Sequence, residues 1–252
     1  MYLYLFDSFL AKKKYKRIID KIETRITDLE ISGRLVKLTI LESIPEIVRD
    51  AIKKGVKTIV AVGNDKTFGQ AASAIIDTNV SLGLIPVDKN NKISEILGIP
   101  KEELACEVIS ARLIDKLDIG KVNNHFFISS VEINTHKVIL EGEGWRITPT
   151  SKINKVKISN LDIYLNKISS PKDGLFDVII EKVPTKIFSV FGLKQDEKID
   201  SLIFLKKIKI SSPKNKQGLP VLVDGWRIIK TPLEIEMLNK KINIIVGRKR
   251  LF

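Results

Sequence analysis

The residues of this chain best suited to chemistry lie in one short stretch, Thr58-Ile59-Val60-Ala61-Val62-Gly63-Asn64-Asp65-Lys66-Thr67. An apolar, β-branched run is followed by a tight Gly/Asn/Asp turn and then by a helix start. The first amides of a helix have no intrahelical partners and the helix dipole is positive there, so such a geometry suits a phosphate group. Lys66 adds a full positive charge beside it, and Thr67 can cap the helix, with Gln70 completing a capping box. The same pattern also describes an ordinary strand–turn–helix connection. Two carboxylates, Asp173 and Asp224, each precede a glycine, and Asp-Gly is a common hairpin turn. His125 and His136 lie in strand-like segments without a ligand pattern and read as structural. Cys106 stands alone among helix formers and reads as a buried thiol. No serine–histidine–acid set and no metal-ligand cluster can be argued from spacing.

The elements that would position these residues alternate in the first half. Tyr2–Phe6 reads as a strand. Tyr15, Ile18, Ile19, Ile22, Ile26 and Leu29 recur at helical spacing with charged residues opposite. Leu35–Leu41 reads as a strand, and Ser43-Ile44-Pro45-Glu46 as a capping box opening a helix that Gly55 ends, where a left-handed residue is needed. Thr58–Val62 has the continuous apolar character of a strand covered on both faces. Phe68, Ala71, Ala72, Ile75 and Ile76 mark a further helix, and Ser81–Val87 a further strand. This alternation predicts an α/β N-terminal domain with a parallel sheet flanked by helices, over residues 1–116.

Strand-like segments then dominate: Phe126–Ile133, Lys137–Leu140, Lys155–Ile158, Val178–Ile180, Ser201–Ile210 and Ile242–Val246, separated by turn signals. They predict an all-β, sandwich-like C-terminal domain over residues 117–252, whose last segment can pack back on the first domain. A short echo, Gly142-Glu143-Gly144-Trp145-Arg146-Ile147 against Val223-Asp224-Gly225-Trp226-Arg227-Ile228, reads either as two equivalent strand starts or as chance.

Composition narrows the partners. The 252 residues carry a formal net charge of +13, which favours an anionic partner: a nucleotide, an acidic membrane surface or nucleic acid. Lysines concentrate at Lys206–Lys216 and Lys240–Arg250. No basic motif with interleaved aromatics and no zinc-finger spacing supports nucleic acid, so none is expected. One cysteine excludes an internal disulfide and points to a reducing, cytoplasmic setting. Met1–Leu10 is apolar but short, and Lys12, Lys13 and Lys14 follow it rather than precede it. The segment therefore reads as neither signal peptide nor spanning helix, and the chain as soluble.

The segment Gly63–Thr67 resembles the G-G-D-G-T motif shared by diacylglycerol kinases, sphingosine kinases and NAD kinases. Gly63, Asp65 and Thr67 match; Asn64 and Lys66 replace glycines. Leu82-Gly83-Leu84-Ile85-Pro86 followed by Asn91 is similar to the family's second nucleotide segment, with Asp88, Lys89 and Lys92 in place of Gly, Thr and Asp. Ser170–Val178 resembles the P-x-D-G-x-L/F-D-V entry of the lipid-kinase branch. Val221-Leu222-Val223-Asp224-Gly225 resembles the late V-x-V-D-G-E motif, with Trp226 in place of the glutamate.

The resemblance implies that Gly63, Asn64, Asp65, Lys66, Thr67, Pro86 and Asn91 bind ATP. It implies that Asp224 is the general base toward a lipid hydroxyl, that Asp173 belongs to a carboxylate–metal network, and that magnesium takes part. The first domain would then bind nucleotide and the second a lipid substrate, with peripheral contact to an acidic membrane. The replaced glycines and glutamate leave a second reading, a nucleotide- or membrane-binding protein of this fold with impaired catalysis. An NAD kinase-like enzyme is a third.

Overall fold

The computed structural model describes residues 1–87, 91–134, 138–148, 153–164, 167–182, 199–212 and 218–252. The chain forms two compact units, Met1–Asp118 with Lys240–Phe252, and Ile119–Asn239.

The first unit is α/β. Its elements in chain order are β1 (Tyr2–Phe6), α1 (Lys16–Asp28), β2 (Gly33–Lys37), α2 (Ile44–Lys53), β3 (Thr58–Gly63), α3 (Asp65–Ala74), β4 (Ser81–Pro86), α4 (Lys92–Ile96) and α5 (Ala105–Ala111). Strands β1 and β2, β1 and β3, and β3 and β4 all pair parallel, with Phe6 opposite both Lys37 and Val62 and Gly63 opposite Pro86. Their carboxyl ends therefore line up on one edge, where ligands of open α/β sheets bind. Every residue of β3 and β4 is buried, as the continuous apolar runs required. Two local expectations fail. Ser43 precedes α2, but its side chain makes no capping bond; instead the Glu46 and Ile47 amides donate to its carbonyl. Strand β2 ends at Lys37, so Thr39–Leu41 belongs to a turn. Gly55 does end α2 in the left-handed region, at φ 84°.

The second unit is β-rich. Strand β5 (Ile114–Val122) leads into it, followed by β6 (His125–Phe127), β7 (Ser130–Ile133), β8 (Ile139–Gly142), β9 (Trp145–Ile147), β10 (Ile153–Ser159), β11 (Ile163–Tyr164), β12 (Lys167–Ile168), β13 (Phe176–Lys182), β14 (Ile199–Leu205), β15 (Lys207–Ser211), β16 (Pro220–Val223), β17 (Arg227–Lys230) and β18 (Leu233–Ile245), whose residues from Lys240 onward belong to the first unit. One sheet runs β14-β13-β10-β7-β16-β17. Lys207–Ile210 pairs antiparallel with Leu233–Glu236, and β15 also pairs with β8. Apolar residues of these strands share one core, in which Phe127 stacks on Phe176 at 5.4 Å between centroids. The run Ser201–Ile210, expected as one strand, is two, broken at Lys206. Both halves of the sequence echo are hairpin turns, Gly142–Trp145 and Val223–Arg227. Inside this unit Lys157 is buried with Asp162 and Glu132 as partners. Burial opposes its charge, but the two carboxylates outweigh that and raise its pKa.

Cys106 is buried, and burial pushes its thiol up to about 12, so it is inert at neutral pH. No helix among the described residues is long and apolar enough to cross a membrane.

Candidate functional site

Helix α3 begins one turn earlier than the capping box over Thr67 and Gln70 predicted. Asn64 is the N-cap. Its side-chain oxygen accepts from the amides of Lys66 at 3.1 Å and Thr67 at 3.3 Å. The two amides expected to meet a phosphate thus already have a partner. Thr67 is fully buried, and its hydroxyl donates to the carboxylate of Asp7. Asp7, at the end of β1, had no signature in the sequence. Its own amide donates to the Val62 carbonyl, and its carboxylate also accepts from the Phe9 amide.

Gly63 owes its place to this packing rather than to backbone freedom. A Cβ there would lie 2.7 Å from the Thr67 hydroxyl oxygen and 3.0 Å from the Asp7 Cβ. Lys66 is exposed, at the amino end of α3.

Asp65 reaches across to the second nucleotide segment. Its carboxylate accepts from the Lys92 amide at 2.8 Å and the Ile93 amide at 3.3 Å, at the start of α4. Pro86 is buried at the end of β4, and Asn91 is buried just before α4. One carboxylate therefore ties the turn after β3 to the segment after β4. Asp65→Ala should cost about 1–2 kcal/mol by urea denaturation, because two amides lose a charged acceptor. Asp65→Asn, which retains one acceptor oxygen, should lose less. Asp88 and Lys89, like His136, lie outside the described residues.

In the second unit Asp224 occupies the β16–β17 turn in the left-handed region, followed by Gly225. Its carboxylate accepts from three consecutive backbone amides, Ser129 at 2.8 Å, Ile128 at 3.2 Å and Ser130 at 3.3 Å. Burial pushes this carboxyl up to about 6, against the pull of those amides and of Arg227. A group of that pKa changes charge close to neutral pH, as a general base must. Trp226, where the family motif has glutamate, has a buried indole nitrogen without a hydrogen-bond partner among the described residues, and the Arg227 guanidinium lies over its ring at 4.6 Å. His125 is exposed, and burial and Arg227 both lower its pKa.

Asp173 is exposed in the turn before β13, where its carboxylate accepts from the Leu175 amide at 2.9 Å. No group of three or more acidic, histidine or cysteine side chains among the described residues could hold a metal ion.

Residues 2–122 match the model of the diacylglycerol kinase catalytic domain. The match spans the Gly63–Thr67 and Leu82–Asn91 segments and supports the resemblance read from them. A diacylglycerol kinase of Bacillus subtilis is 31% identical over 85 residues, 32% of this chain and 28% of that protein. A Pseudomonas aeruginosa protein named "Probable lipid kinase YegS-like" is 24% identical over 225 residues, 71% of this chain and 73% of its own. Among solved structures, a diacylglycerol kinase of Bacillus anthracis superposes with a TM-score of 0.78 at 19% identity, covering 99% of this chain and 98% of that one. Yeast NADH kinase in complex with NADH gives 0.58 at 11% identity, over 99% of this chain and 84% of that one. The chain has the bacterial diacylglycerol kinase fold: an α/β part with a parallel sheet and a β-rich part.

Proposed function

We propose that this chain is an ATP-dependent kinase that phosphorylates the hydroxyl of a diacylglycerol-type or related lipid. The observation that carries the reading is the Asp65 bridge. It fixes the Gly63–Thr67 turn against the segment containing Pro86 and Asn91, with Lys66 free in solvent at the amino end of α3. Lys66 would neutralise the phosphates. Asp224 would accept the proton of the attacking lipid hydroxyl, and that hydroxyl oxygen would displace ADP from the γ-phosphorus. Magnesium would accompany the nucleotide as its counter-ion. Asp173 remains the proposed metal residue, although among the described residues no set of three or more ligands surrounds it.

A second reading is favoured by the Asn64 side chain, which occupies the Lys66 and Thr67 amides: a protein of this fold that binds nucleotide weakly and transfers nothing. Incubation with labelled ATP, magnesium and mixed-lipid vesicles separates the two. The kinase reading expects label in a lipid product, and Lys66→Ala should reduce it roughly tenfold, through a lost charge–phosphate contact. Absence of label across lipid classes, with folded protein, defeats it. ATP then raising the melting temperature without turnover supports the second reading, since a ligand at about 100 times its Kd stabilises by about 2.7 kcal/mol. Label in NADP, with NAD as acceptor, would instead make it an NAD kinase.

A further inference from the structure

We propose that the turn between β2 and α2 is a membrane wedge, in which Ile40 and Leu41 insert into an anionic lipid bilayer beside the nucleotide edge. This deepens the lipid-kinase reading and rests on it for its purpose. The two side chains are 89% and 91% exposed, the most exposed of the large apolar residues described. They are held out by structure. The Glu42 carboxylate accepts from the Thr39 amide at 2.6 Å and the Glu42 amide donates to the Thr39 carbonyl, closing a turn with Ile40 and Leu41 at its tip. Leu38 before them is buried and its amide donates to the Phe6 carbonyl; Ile44 after them is buried at the start of α2. The loop is therefore pinned at both ends, and its tip carries two branched aliphatics where turns mostly use Gly, Pro, Asn, Asp or Ser.

Its place follows from the sheet. Phe6 and Lys37 end β1 and β2 opposite each other, and Phe6 lies opposite Val62, one residue before the end of β3. Val62 lies opposite Ile85, one residue before the end of β4. Ile40 lies two residues beyond Leu38, within about 8 Å of it along the chain. It thus leaves the sheet on the edge that carries Asp7, the Gly63–Thr67 turn and Asn91. Because α1 must return to the start of parallel β2, the residues leading into it sit on this edge as well. They include Lys12, Lys13 and Lys14, all exposed. Lys66 and Lys92 are exposed at the amino ends of α3 and α4 on the same edge. Among the described residues none of these five lysines forms an ion pair. Paired aliphatics beside lysines without ion pairs match an anionic bilayer, which buries the apolar side chains while its headgroups meet the ammonium groups.

Cosedimentation without nucleotide tests this, using phosphatidylcholine vesicles with and without phosphatidylglycerol. The wild-type chain should bind the anionic vesicles, more weakly as salt rises. Ile40→Ser/Leu41→Ser should bind about tenfold less at an unchanged melting temperature, since both side chains are in solvent. Tryptophan placed by Leu41→Trp should gain a blue-shifted emission on vesicles that brominated lipid quenches. Equal vesicle binding by the double variant overturns the proposal. So does a wild type that ignores vesicles but self-associates through this turn, which would make the occupant a protein. Failure of transfer to a detergent-dispersed acceptor would sink the kinase reading and leave the vesicle result standing.

Discussion

Asp224→Asn is expected to lower phosphoryl transfer by about 10²–10⁴-fold, the usual contribution of a general base, while nucleotide still raises the melting temperature. The geometry makes the substitution mild. One carboxylate oxygen accepts from all three amides of Ile128, Ser129 and Ser130, and the asparagine oxygen can take that position. Asp224→Ala is the contrasting variant: it leaves three partly buried amides without an acceptor, and should cost about 3–5 kcal/mol of stability. A large loss of activity in the asparagine variant, with unfolding confined to the alanine variant, separates chemistry from scaffolding.

The pH dependence gives an independent reading of the same carboxyl group. Burial raises it to about 6 from an ordinary 3.8. A group whose pKa is raised by folding is held protonated by the fold. Its contribution to stability is complete below about pH 4 and is lost as pH rises through about 6, to the extent of about 3 kcal/mol at ~1.4 kcal/mol per unit. With Asp224 in the proposed role, activity moves the other way, because a base must be ionised. Transfer should fall on the acid side with an apparent pKa near 6. Denaturant midpoints between pH 4 and 7 should decline with pH in the wild-type chain and flatten in Asp224→Asn.

How much of this could be read from sequence depended on where each partner lies along the chain. The β1-to-β4 order was legible because each change between apolar runs and helical spacing falls within one short window. The boundary inside Ser201–Ile210 was not. The apolar character runs straight through, and Lys206 does not announce a break between strands of different sheets. The start of α3 was misread by one turn because Asn64 and Thr67 are both able to cap, and the choice rests on φ and ψ at Asn64.

The contacts that hold Asp65 and Asp224, one in each unit, were invisible for a different reason. Asp65 meets amides 27 and 28 residues away, and Asp224 meets amides 94 to 96 residues away. Backbone donors are the same for every residue type, so no sequence pattern marks them. Asp7 could have been noticed only as a carboxylate at the end of a strand, a common feature. The motif positions were therefore readable as a set, but what each side chain touches was not.

That difference bears directly on Asn64, where the final expectation is a gain of function. A glycine would supply no side chain to the Lys66 and Thr67 amides. Asn64→Gly should therefore release both to a phosphate, at a cost to the helix of only a few tenths of a kcal/mol relative to the asparagine cap. Hydrogen bonds from amides to an ionised oxygen contribute about 1.5–3 kcal/mol each. Part of this goes to ordering the freed turn, so nucleotide should bind about 30-fold more tightly, a net gain of about 2 kcal/mol. Isothermal titration with ATP and its γ-phosphate-free analogue ADP measures it. A larger gain for ATP than for ADP would assign the released amides to the terminal phosphate. An affinity unchanged or weakened by Asn64→Gly would mean that the asparagine contacts the nucleotide itself or that the amino end of α3 receives no phosphate, and Lys66→Ala distinguishes these. If nucleotide enters there at all, removing the lysine weakens it; if nothing enters, neither substitution moves the titration.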